Sequence, residues 1–206
     1  MNFPRNLLLT ALLASSGHTV AASSIDLSVK GTITPSACVP ALSNGGTYDL
    51  GKISARDLNA DKPTQLRGQY PQLTVTCEGA TLMAVQARDN REGSDFIGSV
   101  DYFGLGLING SEKLGAMTLR LSNPVADGAA SRIIDSEDGG KTWNNGRYFW
   151  RTNLLSVSEA GVTAPLPVQQ FSATLAIWPT IAPANSLTLT DEVLIDGSVT
   201  LTVKYL

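Results

Sequence analysis

Four stretches of this chain alternate apolar and polar residues one by one. They are Leu73-Thr74-Val75-Thr76-Cys77, Met117-Thr118-Leu119-Arg120-Leu121, Phe171-Ser172-Ala173-Thr174-Leu175-Ala176-Ile177 and Val199-Thr200-Leu201-Thr202-Val203-Lys204-Tyr205. A period of two puts apolar side chains on one face of an extended backbone and Thr, Ser or charge on the other, the pattern of a half-buried strand. Helical periodicity is scarce, and 19 glycines and 10 prolines supply turns between the segments. Short strands punctuated in this way predict an all-β sandwich. No repeat of fixed period runs through the chain, which argues against a propeller.

The first residues read as an address rather than as structure. Arg5 precedes the apolar run Leu7–Ala14, and Val20-Ala21-Ala22 offers small residues for cleavage. Residues 1–22 are expected to be a secretory signal peptide, cut after Ala22. The run is shorter than the roughly 20 apolar residues that span a bilayer. The mature chain is therefore expected to be exported, with no membrane insertion, and residues 23–206 suffice for one domain. The balance of 15 Lys+Arg against 18 Asp+Glu leaves no basic footprint for nucleic acid.

Cys38 and Cys77 are the only cysteines. An even count in an exported protein points to a disulfide, with two separate buried thiols as the alternative. The single histidine, His18, falls in the leader. A mature chain without histidine lacks Ser-His-Asp and Cys-His chemistry and the commonest zinc and copper ligand. Carboxylate-only or metal–carboxylate catalysis stays open.

The most conspicuous short motif is Ser136-Glu137-Asp138-Gly139-Gly140-Lys141-Thr142-Trp143. It is similar to the Asp-box, S-x-D-x-G-x-T-W, of sialidases and related propellers, but it occurs once here. Asp138-Gly139-Gly140 is turn chemistry, Asp138 can accept from nearby amides, and Trp143 can cover the turn. Calcium binding by Asp135, Glu137 and Asp138 is a minor option, because EF-hand spacing is missing. The segment FGLGLING, residues 103–110, reads as a strand ending in an Asn109-Gly110 turn. No helix follows it to receive a phosphate. Arg88, Asp89, Asn90 and Arg91 read as a solvated loop or a structural ion pair.

The two ends of the mature chain carry the most information. Ile25, Leu27, Val29, Gly31 and Ile33 occupy odd positions, with Asp26, Ser28, Lys30 and Thr32 between them. The final stretch alternates Val199, Leu201, Val203 and Tyr205, a strand whose edge amides can be accessible. The ordered set Val29-Lys30-Gly31-Thr32-Ile33, Cys38, Cys77, Gly197 and Tyr205 resembles a structural subunit of chaperone–usher fimbriae. Asp89-Asn90-Arg91, FGLG and Gly115 are further similar to the beta-type branch of that family. The central region with its Trp-bearing hairpin departs from ordinary rod subunits.

The resemblance implies an incomplete immunoglobulin-like β-sandwich, residues 36–206, preceded by a donor-strand extension, residues 23–35. It implies a non-enzymatic subunit without cofactors that polymerises by donor-strand exchange. Implied partners are a periplasmic PapD-like chaperone, an outer-membrane usher and neighbouring fimbrial subunits. The implied location is the periplasm and then a cell-surface fimbrium. The extension would fill a groove lined by Phe171, Ala173, Leu175, Ile177 and the final strand, and the chaperone would recognise Val199, Leu201, Val203 and Tyr205. Strand addition of this kind takes affinity from backbone bonds and specificity from alternate side chains. Burying Ile25, Leu27, Val29 and Ile33 is worth about 6–12 kcal/mol gross, before ordering costs. Two other readings compete. One is a single-domain periplasmic or surface carbohydrate-binding module that stacks sugars on Trp143, Tyr148 and Trp150. The other is a glycosidase, which needs two carboxylates facing across a cleft, and nothing in the sequence pairs any two.

Overall fold

The structure is a computed structural model that describes Ser28, Lys30 and residues 37–206. The expected signal peptide, and Ile25, Leu27, Val29, Gly31 and Ile33 of the expected donor strand, lie outside the described residues. Residues 37–206 lie in one compact unit, and every described strand belongs to it.

Among the described residues there are thirteen strands and no α-helix. The strands are β1 (Cys38–Leu42), β2 (Thr64–Gln65), β3 (Gln72–Thr81), β4 (Met83–Asp89), β5 (Phe103–Gly104), β6 (Leu107–Ile108), β7 (Glu112–Lys113), β8 (Gly115–Ala126), β9 (Ala129–Ala130), β10 (Arg132–Ser136), β11 (Leu154–Ser158), β12 (Val168–Ile181) and β13 (Val199–Tyr205). The first sheet has the order β1-β3-β12-β8-β5, with β2 beside β12 and β9 beside β8. The second has the order β10-β11-β4-β13, and β6 pairs with β7 alone. Every pairing is antiparallel. All four alternating stretches of the sequence are strands, as their periodicity requires.

The alternation decides which side chains meet. From the first sheet, Leu73 and Val75 of β3, Leu119 and Leu121 of β8, and Phe171, Ala173 and Leu175 of β12 turn inward. From the second, Met83, Val85 and Ala87 of β4 and Leu155 and Val157 of β11 turn to meet them. These residues form one apolar cluster between the sheets, so the fold is a β-sandwich. Asp127 (φ 47°) and Gly128 (φ 81°) make the two-residue turn between β8 and β9, where both positions need positive φ.

FGLGLING departs from the single strand expected of it. Phe103–Gly104 pairs with β8, whereas Leu107–Ile108 turns at Asn109-Gly110 to pair with Glu112–Lys113. Gly106, at φ 92°, breaks the run between them, a backbone state that a larger residue resists. The charged cluster is a structural clamp. Arg91 grips Asp196 with two bonds of 2.9 and 2.8 Å, and the Asn90 amide donates to Ser198 and Thr200. The residues leading into β13 are thereby lashed to the end of β4.

The Asp-box motif is a turn of the expected kind. Asp138 accepts from the Thr142 hydroxyl and amide (2.6 and 2.9 Å), the Ser136 hydroxyl (2.8 Å) and the Lys141 amide (3.0 Å). The Trp143 indole N–H donates to the Gly140 carbonyl at 3.1 Å. The Thr142 hydroxyl and amide, then the Ser136 hydroxyl, hold the Asp138 carboxyl well below the usual carboxylate range. Cys38 and Cys77 sit directly opposite each other on β1 and β3 and form a disulfide.

The bridge closes a span of 39 residues, so Cys38→Ala with Cys77→Ala should lower the unfolding free energy by about 4 kcal/mol in the chain-entropy account. Urea unfolding checks this, and an unchanged midpoint refutes it. Asp138 has a depressed folded-state pKa, so its contribution is present above the ordinary aspartate range and lost as pH falls towards the folded value. Asp138→Asn should therefore melt earlier than the parent at neutral pH, and the gap should narrow as pH drops below about 4. A gap independent of pH would show that the charge is not what the turn uses.

Candidate functional site

β1 ends the first sheet and β13 ends the second. They meet at the disulfide, where the Tyr205 hydroxyl accepts from the Cys38 amide at 2.9 Å. Beyond Leu42 the two sides part, and an open apolar groove of about 730 Å³ runs down the flank of the sandwich. Its floor is the inner face of β8 and β12 with the β5–β8 connection: Leu105, Leu114, Met117, Leu119, Leu175, Ile177 and Ile181. One rim is residues 48–53, and the other runs from Leu189 to Leu201.

The second rim continues the alternation of β13 backwards. Leu187, Leu189, Val193 and Ile195 are half-buried against the core, in step with Val199, Leu201 and Val203. Between them Thr188, Thr190, Leu194 and Asp196 are exposed. These residues are strand-like in pattern, yet residues 187–198 belong to no described strand. They are held at separate points instead, in addition to the Asn90–Ser198 contact. The Thr188 amide donates to Glu112 at 2.7 Å, while Asp196 is held by Arg91 and donates its own amide to Leu105 at 3.0 Å. The Thr188 amide keeps the Glu112 carboxyl below its ordinary range, and Arg91 does the same for Asp196. A Cβ on Gly197 would lie 2.7 Å from Leu105 Cδ2, so a larger residue there would displace the Leu105 side chain.

The first rim is likewise without a strand. Lys52 reaches across to Glu192 at 3.1 Å, with both side chains largely in water. An exposed pair of this kind adds little stability and yields readily to a competing contact. Charge is confined to the mouth, at Asp49, Lys52, Asp191 and Glu192, above an apolar floor. The arrangement suits an extended chain with apolar residues at every second position. Among the described residues no group of three His, Cys, Asp or Glu is placed to hold a metal ion.

Of the expected site residues, Leu175, Ile177, Val199 and Leu201 line the groove. Phe171 and Ala173 lie further along β12, buried in the closed core rather than in the groove, because β1 and β13 converge at that end. Val203 packs on the core beyond the groove, and Tyr205 closes the gap to β1. Sequence reasoning missed Leu105, Leu114, Met117, Leu119 and Ile181 of the floor, the first rim, and the part of the second rim that precedes Val199. The signal for the second rim was present, since Leu187 to Ile195 keeps the odd-numbered parity of β13. Trp143, Tyr148 and Trp150 form no ring pair with one another. Trp143 serves its own turn, and the only ring pair among the described residues is Tyr70–Trp178.

Comparison with known proteins places the sequence beside chains of unassigned activity. Residues 27–102 match the profile of a family described as "Protein of unknown function (DUF1120)". That span carries the end of the alternating extension, both cysteines, and β1 to β4. The chain is 26% identical to Protein GltF of Escherichia coli (strain K12), with the whole of both chains covered. It is 28% identical to the uncharacterized protein YhcF of the same strain, over 90% of this chain and 92% of that one. The chain is thus similar to these two proteins along nearly its full length, and to the DUF1120 profile over residues 27–102 alone.

Proposed function

We propose that the chain is a structural subunit of a chaperone–usher fimbria, built on an immunoglobulin-like sandwich that lacks one strand and polymerising by donor-strand exchange. The observation that carries the reading is the groove. Two edges of one sandwich stand apart over an apolar floor, and both rims present half-buried side chains without a strand between them. A chain inserted there would bury its alternate residues on the floor and offer backbone bonds to the rims. The sequence holds a segment of that pattern, Ile25 to Ile33, ahead of the first cysteine. Supplied by the next subunit, it would fill the groove. Before assembly, a periplasmic PapD-like chaperone would cover the same apolar surface and deliver the subunit to an outer-membrane usher. The similarity of FGLG and Asp89-Asn90-Arg91 to beta-type fimbrial subunits acquires a physical reason, because these residues fix the lower end of the groove through Leu105 and the Asp196 clamp.

Donor and acceptor roles separate by mutation. Deleting residues 23–34 should leave the subunit able to bind chaperone and accept a neighbour, but unable to extend the chain as donor. Fibres of normal length, seen by electron microscopy, would refute the donor role. Gly31→Leu should slow assembly in purified chaperone–subunit complexes, because a large side chain would stand where the extension offers none. Tyr205→Ser with Leu201→Ser should reduce chaperone capture and periplasmic yield, the first by opening the Cys38 contact and the second by removing a groove contact. An unchanged yield of complex counts against recognition of the last strand.

A further inference from the structure

The outer face of the first sheet carries a second feature that the groove does not use. Arg120 of β8 pairs with Ala176 of β12 on one side and bridges to Tyr148 on the other. Trp178, two residues on from Ala176, points to the same face, as does Tyr70 next to the Gln69–Ile177 bridge. The four residues form a row across adjacent extended segments of the sheet, Tyr70, Trp178, Arg120, Tyr148. Three interstrand steps of about 4.8 Å make it roughly 14 Å long.

The contacts along the row are specific. Trp178 donates its indole N–H to the Tyr70 hydroxyl at 3.2 Å, with the rings edge-to-face at 6.3 Å. The Arg120 guanidinium carbon lies 4.7 Å from the centre of the Trp178 ring and 5.8 Å from that of Tyr148. A Cβ on Gly68 would stand 2.8 Å from the Tyr70 hydroxyl and 2.9 Å from Trp178 Cδ1, so a glycine there permits this packing. Tyr70 and Tyr148 remain 61% and 44% exposed.

Arg120 is the anomaly. It takes part in none of the ion pairs among the described residues. Its Nε is buried without a hydrogen-bond partner. The residues beside it on this face, Thr118, Ser122, Thr174 and Ala176, carry no charge. A guanidinium flanked by two rings is positioned by cation–π attraction, and its planar fork of donors matches a carboxylate.

We infer that the row Tyr70–Trp178–Arg120–Tyr148 is a binding site for a carboxylate-bearing oligosaccharide. Arg120 takes the acid group, and the aromatic rings stack against the apolar faces of neighbouring sugar rings. The row crosses central strands whose backbone groups are already paired, so a peptide cannot add there as a strand, and recognition falls to side chains. Charge complementarity selects an acidic ligand, and the length of the row fits several linked rings rather than one. The site is independent of the groove and holds whether or not the chain polymerises.

The test is calorimetric titration of the full chain with three acidic probes: oligogalacturonate, a hyaluronan oligosaccharide and sialyllactose. Methyl-esterified oligogalacturonate and poly-glutamate serve as controls. At least one acidic sugar should bind, its neutral ester should bind about tenfold more weakly or worse, and Arg120→Gln should cost a similar factor. Arg120→Lys should retain part of the affinity. Thermal unfolding of each variant reports folding. Tyr70→Ala, at an exposed ring, should weaken binding even where Arg120→Gln fails to fold. The inference is overturned if none of the three sugars binds, if Arg120→Gln or Tyr70→Ala binds like the parent, or if poly-glutamate binds as tightly as the sugars.

Discussion

Along one flank of this sandwich, burial and backbone pairing part company. A side chain can be half-buried by sitting over the core, but a backbone amide in an extended segment needs a neighbour in register. Residues 187–198 and 48–53 present half-buried side chains but lie in no described strand, and their backbone is held only by isolated bonds such as Asp196 to Leu105. The inner faces of β8 and β12, which elsewhere meet the second sheet, line the groove there, although Leu119, Leu175 and Ile181 remain buried. The fold around the flank is built to keep it that way. Arg91–Asp196 and Glu112–Thr188 fasten the second rim, Gly197 brings that rim close to Leu105, and Tyr205 with Cys38 shuts the end of the groove where β1 and β13 meet. Together these contacts hold a gap of fixed shape.

The sandwich was legible in the sequence because its strands alternate strictly. Leu73–Cys77, Met117–Leu121, Phe171–Ile177 and Val199–Tyr205 each betray their inner face by parity alone. The disulfide was legible from the cysteine count together with the expected leader. Other features turn on where distant segments come together, which periodicity does not encode. Phe171 and Leu175 share pattern, strand and burial, yet only Leu175 lines the groove. What separates them is the convergence of β1 with β13, a contact between residues 38 and 205. FGLGLING failed as a strand for the opposite reason. Its apolar run is continuous, but Gly106 turns the backbone, and the two halves pair with different partners.

The two faces of the first sheet divide the chemistry of the chain. The inner face supplies apolar side chains to the core and the groove floor. The outer face of the same strands supplies Thr, Ser and the Tyr70–Trp178–Arg120–Tyr148 row. One residue step along β8 separates Leu119, in the groove, from Arg120, on the opposite surface. Substitutions at either position leave the other's face intact, so the two proposed activities are separable within a single strand. The Asp-box turn stands apart from both. Its polar groups are spent on one another around Asp138, which explains a motif conspicuous in sequence and without a cleft in structure.

The odd-numbered spacing of Leu187, Leu189, Val193, Ile195, Val199, Leu201 and Val203 turns the long rim into a ruler with a two-residue graduation. A strand laid beside it cannot drift by a single position, because every side chain would then face away from the floor. It can slip only by whole graduations of about 6.6 Å. Neighbouring alignments along this flank are therefore discrete alternatives, and an error in seating is a large, countable displacement rather than a gradual blur.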